Sequence, residues 1–357
     1  MKKLYITAVV TFSGKTSLAL GIGLKLQAMG HKVGYIKPIS TQPFFIEGKL
    51  ADEDAVFVSR MLGLDSAPAD LAPIVIDDTL FDAIVNDRVG GRDFRGEIKT
   101  AVDKAGQGKD VLLVEGGASM REGYAVGLST VAMAEMLDLP TLGVVRYRDG
   151  LMLLDDLLAM QTRIGNKRLL GAVINSVPMD AMAEVKSRVV PYLEKHGLRI
   201  YGVLPHQQAL MSISLDELIQ TLRAKVLLKG TQGEALIENL SVGAMSAEAA
   251  LPRFRRLLNK AVITGGDRAD VQAAALETST TALVLTGNLE PTATILKRAE
   301  EVGVAVMMVP TNTIETVEAV EKVFGKTRLA QPEKLNRFKE LLDANLDFER
   351  LFKDLGL

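Results

Sequence analysis

Residues Lys3 to Thr16 read as one unit. The apolar strand Leu4-Tyr5-Ile6-Thr7-Ala8-Val9-Val10 runs through Thr11-Phe12-Ser13 into Gly14-Lys15-Thr16. A helix-period segment follows from Ser17 to about Met29. Strand, glycine turn and helix in that order aim backbone N–H groups and a helix N-terminus at an anion, the layout of a phosphate-binding loop. There Lys15 neutralises the outer phosphates and the Thr16 hydroxyl ligates Mg²⁺. The full signature, G-x-x-x-x-G-K-[ST], puts a glycine where this chain has Val9. Gly-Lys-Thr alone is a weak constraint, so the rest of the chain has to decide.

Apolar runs alternate with helical patterns through the first part of the chain. Strands are predicted at Leu4–Val10, Val33–Pro38, Val111–Glu115, Thr141–Arg146, Leu170–Ser176 and Ile200–Leu204. Helices are predicted near Ser17–Met29, Asp52–Leu62, Arg95–Gly106, Thr130–Leu137, Leu151–Ile164 and Asp180–His196. Near-continuous apolar strands joined by helices imply a parallel sheet buried on both faces, with its ligand site at the strands' C-terminal ends. The segment Gly63–Asp93 is less regular and reads as an excursion over that edge.

A length of 357 residues makes two domains the expectation. The first is placed at residues 1–214. A second, smaller α/β series without Gly-Lys-Thr spans 215–330, and an amphipathic helical tail spans 331–357 with Leu335, Phe338, Leu341, Leu342 and Leu346 on one face. That tail is expected to dock on its own domain or on a partner chain.

The remaining classes fall away quickly. A net charge of −2 gives no reason to expect nucleic acid or an anionic membrane. No apolar run is long enough for a membrane-spanning helix, and the N-terminus does not read as a signal peptide. The chain has no cysteine, which excludes disulfides and thiolate chemistry, and its three histidines (His31, His196, His206) are too scattered for a metal site. A cytoplasmic α/β protein is expected.

Polar residues collect at the strand ends. Lys37 and Pro38 end the second strand, Glu115 with Gly116 and Gly117 the third, and Asn175 the fifth. A carboxylate closing the buried run Val111–Val114 wants a cation, which makes Glu115 a metal-ligand candidate beside Thr16. Gly116 and Gly117 would let backbone approach a ligand. Asp52-Glu53-Asp54 opens a helix, where helix-dipole complementation and metal binding both remain open. Lys37 could face a phosphate or a carboxylate, or simply be solvated. In the second domain, Gly265, Gly266, Asp267, Arg268 and Asp270 mark a helix start that is either an anion nest or a plain turn.

Gly14-Lys15-Thr16, Lys37-Pro38, the acidic helix start, Val114-Glu115-Gly116 and Asn175 together resemble dethiobiotin synthetase and the related cobyrinic acid amidating ligases. That resemblance implies that Thr11 to Thr16 hold ATP phosphates, that Thr16, Asp54 and Glu115 bind Mg²⁺ with Asp52 competing for the aspartate role, that Lys37 contacts substrate and phosphates, and that Asn175 reads the adenine. The family's Gly-Thr-Asp-Thr is replaced here by Ala8-Val9-Val10-Thr11.

A resemblance over the whole chain is to the N-terminal region of long phosphotransacetylases and its free-standing relatives, a dethiobiotin-synthetase-like domain followed by a DRTGG domain. Val262 to Asp270, Leu283 to Gly287, Gly325-Lys326-Thr327-Arg328 and the Gln331-Pro332-Glu333-Lys334 start of the tail carry it. It implies the regulatory half without its acetyltransferase: an ATP-binding sensor, homo-oligomeric, acting on a protein partner in acetyl-CoA and acetyl-phosphate metabolism. The alternative is an ATP-dependent carboxylate ligase taking a small carboxylate metabolite, with Lys37 as its catalytic group. Whether the chain turns ATP over is left open by its residues.

Overall fold

The computed structural model describes residues 1–230, 236–324, 329 and 331–357, arranged as two compact units. The first comprises Met1–His206 with Leu329–Leu357, and the second Gln207–Arg328. The compact units meet between His206 and Gln207, and the tail is continuous with the first unit. The Gly325-Lys326-Thr327-Arg328 run and the expected domain end at residue 330 lie outside the described residues.

The first unit is built on six parallel strands: β1 (Lys2–Ala8), β2 (Val33–Ile36), β3 (Val111–Glu115), β4 (Thr141–Arg146), β5 (Leu169–Val177) and β6 (Ile200–Pro205). Their spatial order is β6-β5-β4-β1-β3-β2. β3 is buried along its whole length and β1 from Leu4 onward, which is why both read as unbroken apolar runs. One face packs Val145, Leu153, Leu157, Met160 and Ile174, and the other Tyr5, Ile98, Val102, Leu112 and Val114. Helices α1 (Lys15–Ala28), α2 (Glu53–Met61), α3 (Phe94–Gly106), α4 (Thr130–Met136) and α5 (Gly150–Ile164) alternate with the strands. Asp52, Asp93, Ser129 and Asp149 cap α2 to α5, their side-chain oxygens accepting N–H groups of the first turn.

Two local features differ from the periodic reading. Between Lys37 and α2 lies an antiparallel hairpin, Pro43–Ile46 against Lys49–Asp52. Its turn residues Glu47 and Gly48 have φ of 50° and 76°, the mirror-image turn that matches the twist of a hairpin. The excursion after Gly63 contains the short helix Pro68–Leu71, the strand Ile74–Val75 and the helix Asp78–Val85, and Ile74–Val75 pairs in parallel with Ile39–Ser40.

The tail helices Pro332–Asn345 and Phe348–Leu355 bury Phe338, Leu342, Leu351 and Phe352, and Leu346 is buried in the link between them. Gly21 of α1 makes room for them, since a Cβ there would run into Leu342. Asp347 N–H donates to Tyr201 O at 2.7 Å, and Lys25 pairs with Asp343 at 2.8 Å.

The second unit is built on a five-stranded sheet of β7 (Lys225–Leu228), β8 (Asn239–Val242), β9 (Lys260–Gly265), β10 (Thr280–Thr286) and β11 (Ala305–Met308), in the order β7-β11-β10-β9-β8. Within that sheet β7 alone is antiparallel, an edge strand whose exposed Lys225 weakens its apolar pattern. No helix among the described residues is long and apolar enough to cross a membrane.

Lys260 opens β9 fully buried, its ammonium donating to Ser279 O at 2.8 Å and Leu257 O at 3.2 Å. Burial pulls its pKa down to about 8 from 10.5. Between those values the unfolded chain holds the proton that the folded chain has released, so folding becomes more favourable as pH rises. Denaturation at pH 8 and pH 10.5 is expected to show this rise in the native protein relative to Lys260→Met, and equal pH slopes would contradict it.

Candidate functional site

The loop after β1 is held by its own polar atoms. Ser13 Oγ donates to Val10 O at 2.7 Å, and Asn175 Nδ2, from the end of β5, donates to Ser13 O at 2.9 Å. Asn175 Oδ1 accepts from Ser176 N–H at 2.8 Å. Gly14 sits at φ 91°, and a Cβ there would strike the Asn175 amide. Gly14→Ala therefore meets a left-handed backbone and a clash together, and a loss of about 1–2 kcal/mol or more is expected on chemical denaturation. Thr11 and Phe12 are exposed at the tip, Phe12 at φ 54°.

Glu115 closes β3 and is 1% exposed. Thr16 Oγ1 donates to its Oε1 at 2.6 Å, and the Tyr35 hydroxyl, from β2, donates to its Oε2 at 2.7 Å. Burial pushes the Glu115 carboxyl above the ordinary range, Lys37 pulls it down, and Asp54 adds to the rise. Lys15, 6% exposed, donates to Ala118 O at 2.7 Å, and burial lowers its pKa against the pull of Glu115.

Lys37 leaves the end of β2 into a set of carboxylates. Its ammonium lies 2.8 Å from Asp52 Oδ2 and 3.4 Å from Asp54 Oδ2. Burial opposes its charge, but Glu115, Asp52 and Asp54 outweigh that and hold it above its usual value. Asp52 is fully buried and saturated: Oδ1 caps α2 at Ala55 N–H, and Oδ2 accepts from Lys37 and the Ser40 hydroxyl. Asp54 is partly exposed and keeps accepting capacity. Of the two aspartates, Asp54 therefore has room for a further ligand.

Lys15, Thr16, Lys37, Asp54 and Glu115 thus converge at one edge of the sheet. Gly116 and Gly117 join them, although their missing side chains make room for this chain's own atoms. A Cβ on Gly116 would crowd Thr7 and Tyr5, and one on Gly117 would run into Glu122. Tyr35, Ser40, Thr41 and Glu122 are site residues that pattern reasoning passed over. Only Tyr35 had a legible signal, lying two residues before Lys37, the spacing that returns a strand side chain to the same face.

Among the described residues no three His, Cys, Asp or Glu side chains cluster as a metal site. The donors Thr16, Asp54 and Glu115 are all oxygen, which suits a hard cation that takes its other ligands from phosphate and water.

In the second unit the turn before α6 (Ala269–Leu276) is braced from within. Arg268 pairs with Asp270 through two 3.1 Å contacts and donates to Met245 O at 2.9 Å. Gln272 Nε2 donates to Gly265 O at 2.8 Å and Gly266 O at 3.0 Å. A Cβ on Gly265 would meet the Asp267 carboxylate, and the place of one on Gly266 is taken by the Leu289 carbonyl. Arg268 and Asp270 thus satisfy each other.

A phosphate-type loop at the C-terminal edge of a parallel sheet, with its Thr16 hydroxyl on a strand-end carboxylate, defines a P-loop α/β protein. The AAA domain family model matches residues 2–214, and the chain belongs to that family; the DRTGG domain model matches residues 217–323. The chain is 24% identical over 373 residues to a phosphate acetyltransferase of Nitrosomonas europaea, covering 100% of this chain and 52% of that protein. With the Deinococcus radiodurans phosphate acetyltransferase it shares 27% over 370 residues, 97% of this chain and 50% of that one. With the ATP-dependent dethiobiotin synthetase BioD of Bacillus cereus it shares 24% over 208 residues, 57% of this chain and 84% of the relative. The chain spans about half the length of the phosphate acetyltransferases it matches. It resembles the N-terminal region of those proteins, a P-loop domain followed by a DRTGG domain.

Proposed function

We propose that the protein binds Mg-ATP at the β1–α1 loop and uses it as a signal, acting as a nucleotide-binding regulatory module on a protein partner of acetyl-CoA and acetyl-phosphate metabolism. The observation that carries this reading is the pair Thr16–Glu115, 2.6 Å apart and flanked by buried Lys15 and Lys37. Four charged or hydroxyl groups at the ends of neighbouring strands meet what a Mg-nucleotide requires: a lysine for phosphate, a hydroxyl and carboxylates for the cation. Asn175 would bring its strand end to the base or ribose side of the loop.

Binding is favoured over turnover by two features. Val9 and Val10 put stiff β-branched side chains where the ligase resemblance has a threonine and an aspartate, and Ala8 stands in place of its glycine. Lys37, the group a ligase would place on a transferring phosphoryl, is already paired with Asp52 and Asp54. The similarity to dethiobiotin synthetase supports the second reading, an ATP-dependent ligase acting on a small carboxylate.

Calorimetric titration with Mg-ATP and Mg-GTP tests the proposal. Saturable binding of Mg-ATP is expected, and no heat at millimolar nucleotide would remove the basis of both readings. Phosphate release that is stimulated by a small carboxylate and lost in Lys15→Ala would instead favour the ligase.

A further inference from the structure

We propose that Glu122 is a positioning residue for Lys15, setting its ammonium through the backbone of Ala118 and tying it to the loop that carries Lys37. The proposal deepens the nucleotide-site reading and rests on it for its meaning in ligand binding.

The geometry forms a relay. Lys15 Nζ donates to Ala118 O at 2.7 Å. An ammonium has three N–H donors, so this bond can aim it and still leave two for phosphate oxygens. Ala118 follows Gly116 and Gly117, a stretch with little stiffness of its own. Its orientation comes from the other side of the same residue, where Ala118 N–H donates to Glu122 Oε2 at 2.7 Å. The second carboxylate oxygen, Oε1, accepts from the Thr41 hydroxyl at 3.0 Å.

Three further contacts hold the segment in place. Gly116 N–H donates to Ile6 O at 2.8 Å, Met120 N–H to Ala8 O at 2.9 Å, and Glu122 N–H to Ser119 O at 3.2 Å. The Glu122 carboxylate lies where a Cβ on Gly117 would stand, so Gly117 is required by its own loop. One carboxylate therefore joins the β3 loop, which touches Lys15, to the β2 loop, which holds Lys37 and Thr41.

Glu122→Gln separates the hydrogen bond to Ala118 from the carboxylate's charge. Its amide oxygen can still accept from Ala118 N–H while the charge is gone, whereas Glu122→Ala loses both. The first measurement needs no nucleotide: the rate at which acetic anhydride acetylates Lys15, read by peptide mass spectrometry. Faster acetylation is expected in Glu122→Ala, and the native rate in Glu122→Gln. The second is calorimetric affinity for Mg-ATP and for AMP, which lacks the outer phosphates. Loss of one aiming hydrogen bond should weaken Mg-ATP about tenfold in Glu122→Ala, leave AMP unchanged, and be rescued in Glu122→Gln.

If Glu122→Ala fails to fold, Thr41→Val removes only the supporting hydroxyl and should shift both readouts in the same direction by less. Native acetylation in both Glu122→Ala and Thr41→Val overturns the proposal, as does a glutamine variant that behaves like alanine, because charge would then be the cause. The expected acetylation pattern without any ATP binding leaves the positioning role standing and sinks the nucleotide reading. ATP binding without that pattern does the reverse.

Discussion

Lys15→Ala is expected to abolish measurable Mg-ATP binding while leaving the protein folded. Lys15 is buried with its ammonium on a neutral carbonyl, Ala118 O, and among the described residues no carboxylate pairs with it. A desolvated cation without a paired anion costs free energy to keep, and its pKa is lowered accordingly. A phosphate group repays that cost on arrival, so the lysine contributes more to binding than to folding. Charge-assisted hydrogen bonds contribute roughly 1.5–3 kcal/mol each, so losing two would weaken affinity by on the order of a hundredfold or more. Calorimetry on the variant measures this, and a melting temperature near that of the native protein shows that the loss is local. Native affinity in Lys15→Ala would place the nucleotide elsewhere or nowhere.

Lys37→Met is expected to have the opposite character, a large loss of stability. Asp52 has no exposure to water, and the Lys37 ammonium at 2.8 Å is its cationic partner. Removing one member of a buried ion pair strands the other, at about 3–5 kcal/mol. Ser40 and the Ala55 N–H still bond to Asp52 and offset part of that. Guanidinium denaturation of Lys37→Met should show the loss, and the double variant Lys37→Met, Asp52→Asn should recover part of it because no buried charge is left unpaired. If the double variant is no more stable than Lys37→Met, the ion pair is not what Lys37 supplies. The contrast between the two lysines follows from their partners, a carbonyl for Lys15 and carboxylates for Lys37.

Much of this site was legible as residue types at strand ends. Glu115 stood out because four apolar residues precede it, and Gly14-Lys15-Thr16 because a strand and a helix flank it. What was not legible is who satisfies whom. Asp52 and Asp54 are two residues apart in one acidic run, yet Asp52 is buried and saturated while Asp54 is partly exposed. The difference arises because Asp52 is both the last hairpin residue and the N-cap of α2, and the hairpin itself rested on a Glu47-Gly48 turn too short to register in a periodicity. Tyr35 carried only its spacing from Lys37, and Glu122 carried no signal, since its contacts reach Thr41 and Ala118 through a loop without period.

The sequence by itself determined the α/β class, the parallel sheet of the first unit and the edge on which its polar residues gather. Those properties follow from local physics: continuous apolar runs need burial on both faces, and the helices between them force parallel crossovers. Tertiary structure decided the rest. It placed the tail against Gly21 and Tyr201 in the first unit, filled the spaces above Gly116 and Gly117 with the chain's own side chains, and bound Arg268 to Asp270. It also left Lys15 on a carbonyl and Lys37 on carboxylates. Such pairings depend on which loops are brought together across distant stretches of chain, and no short-range pattern encodes them.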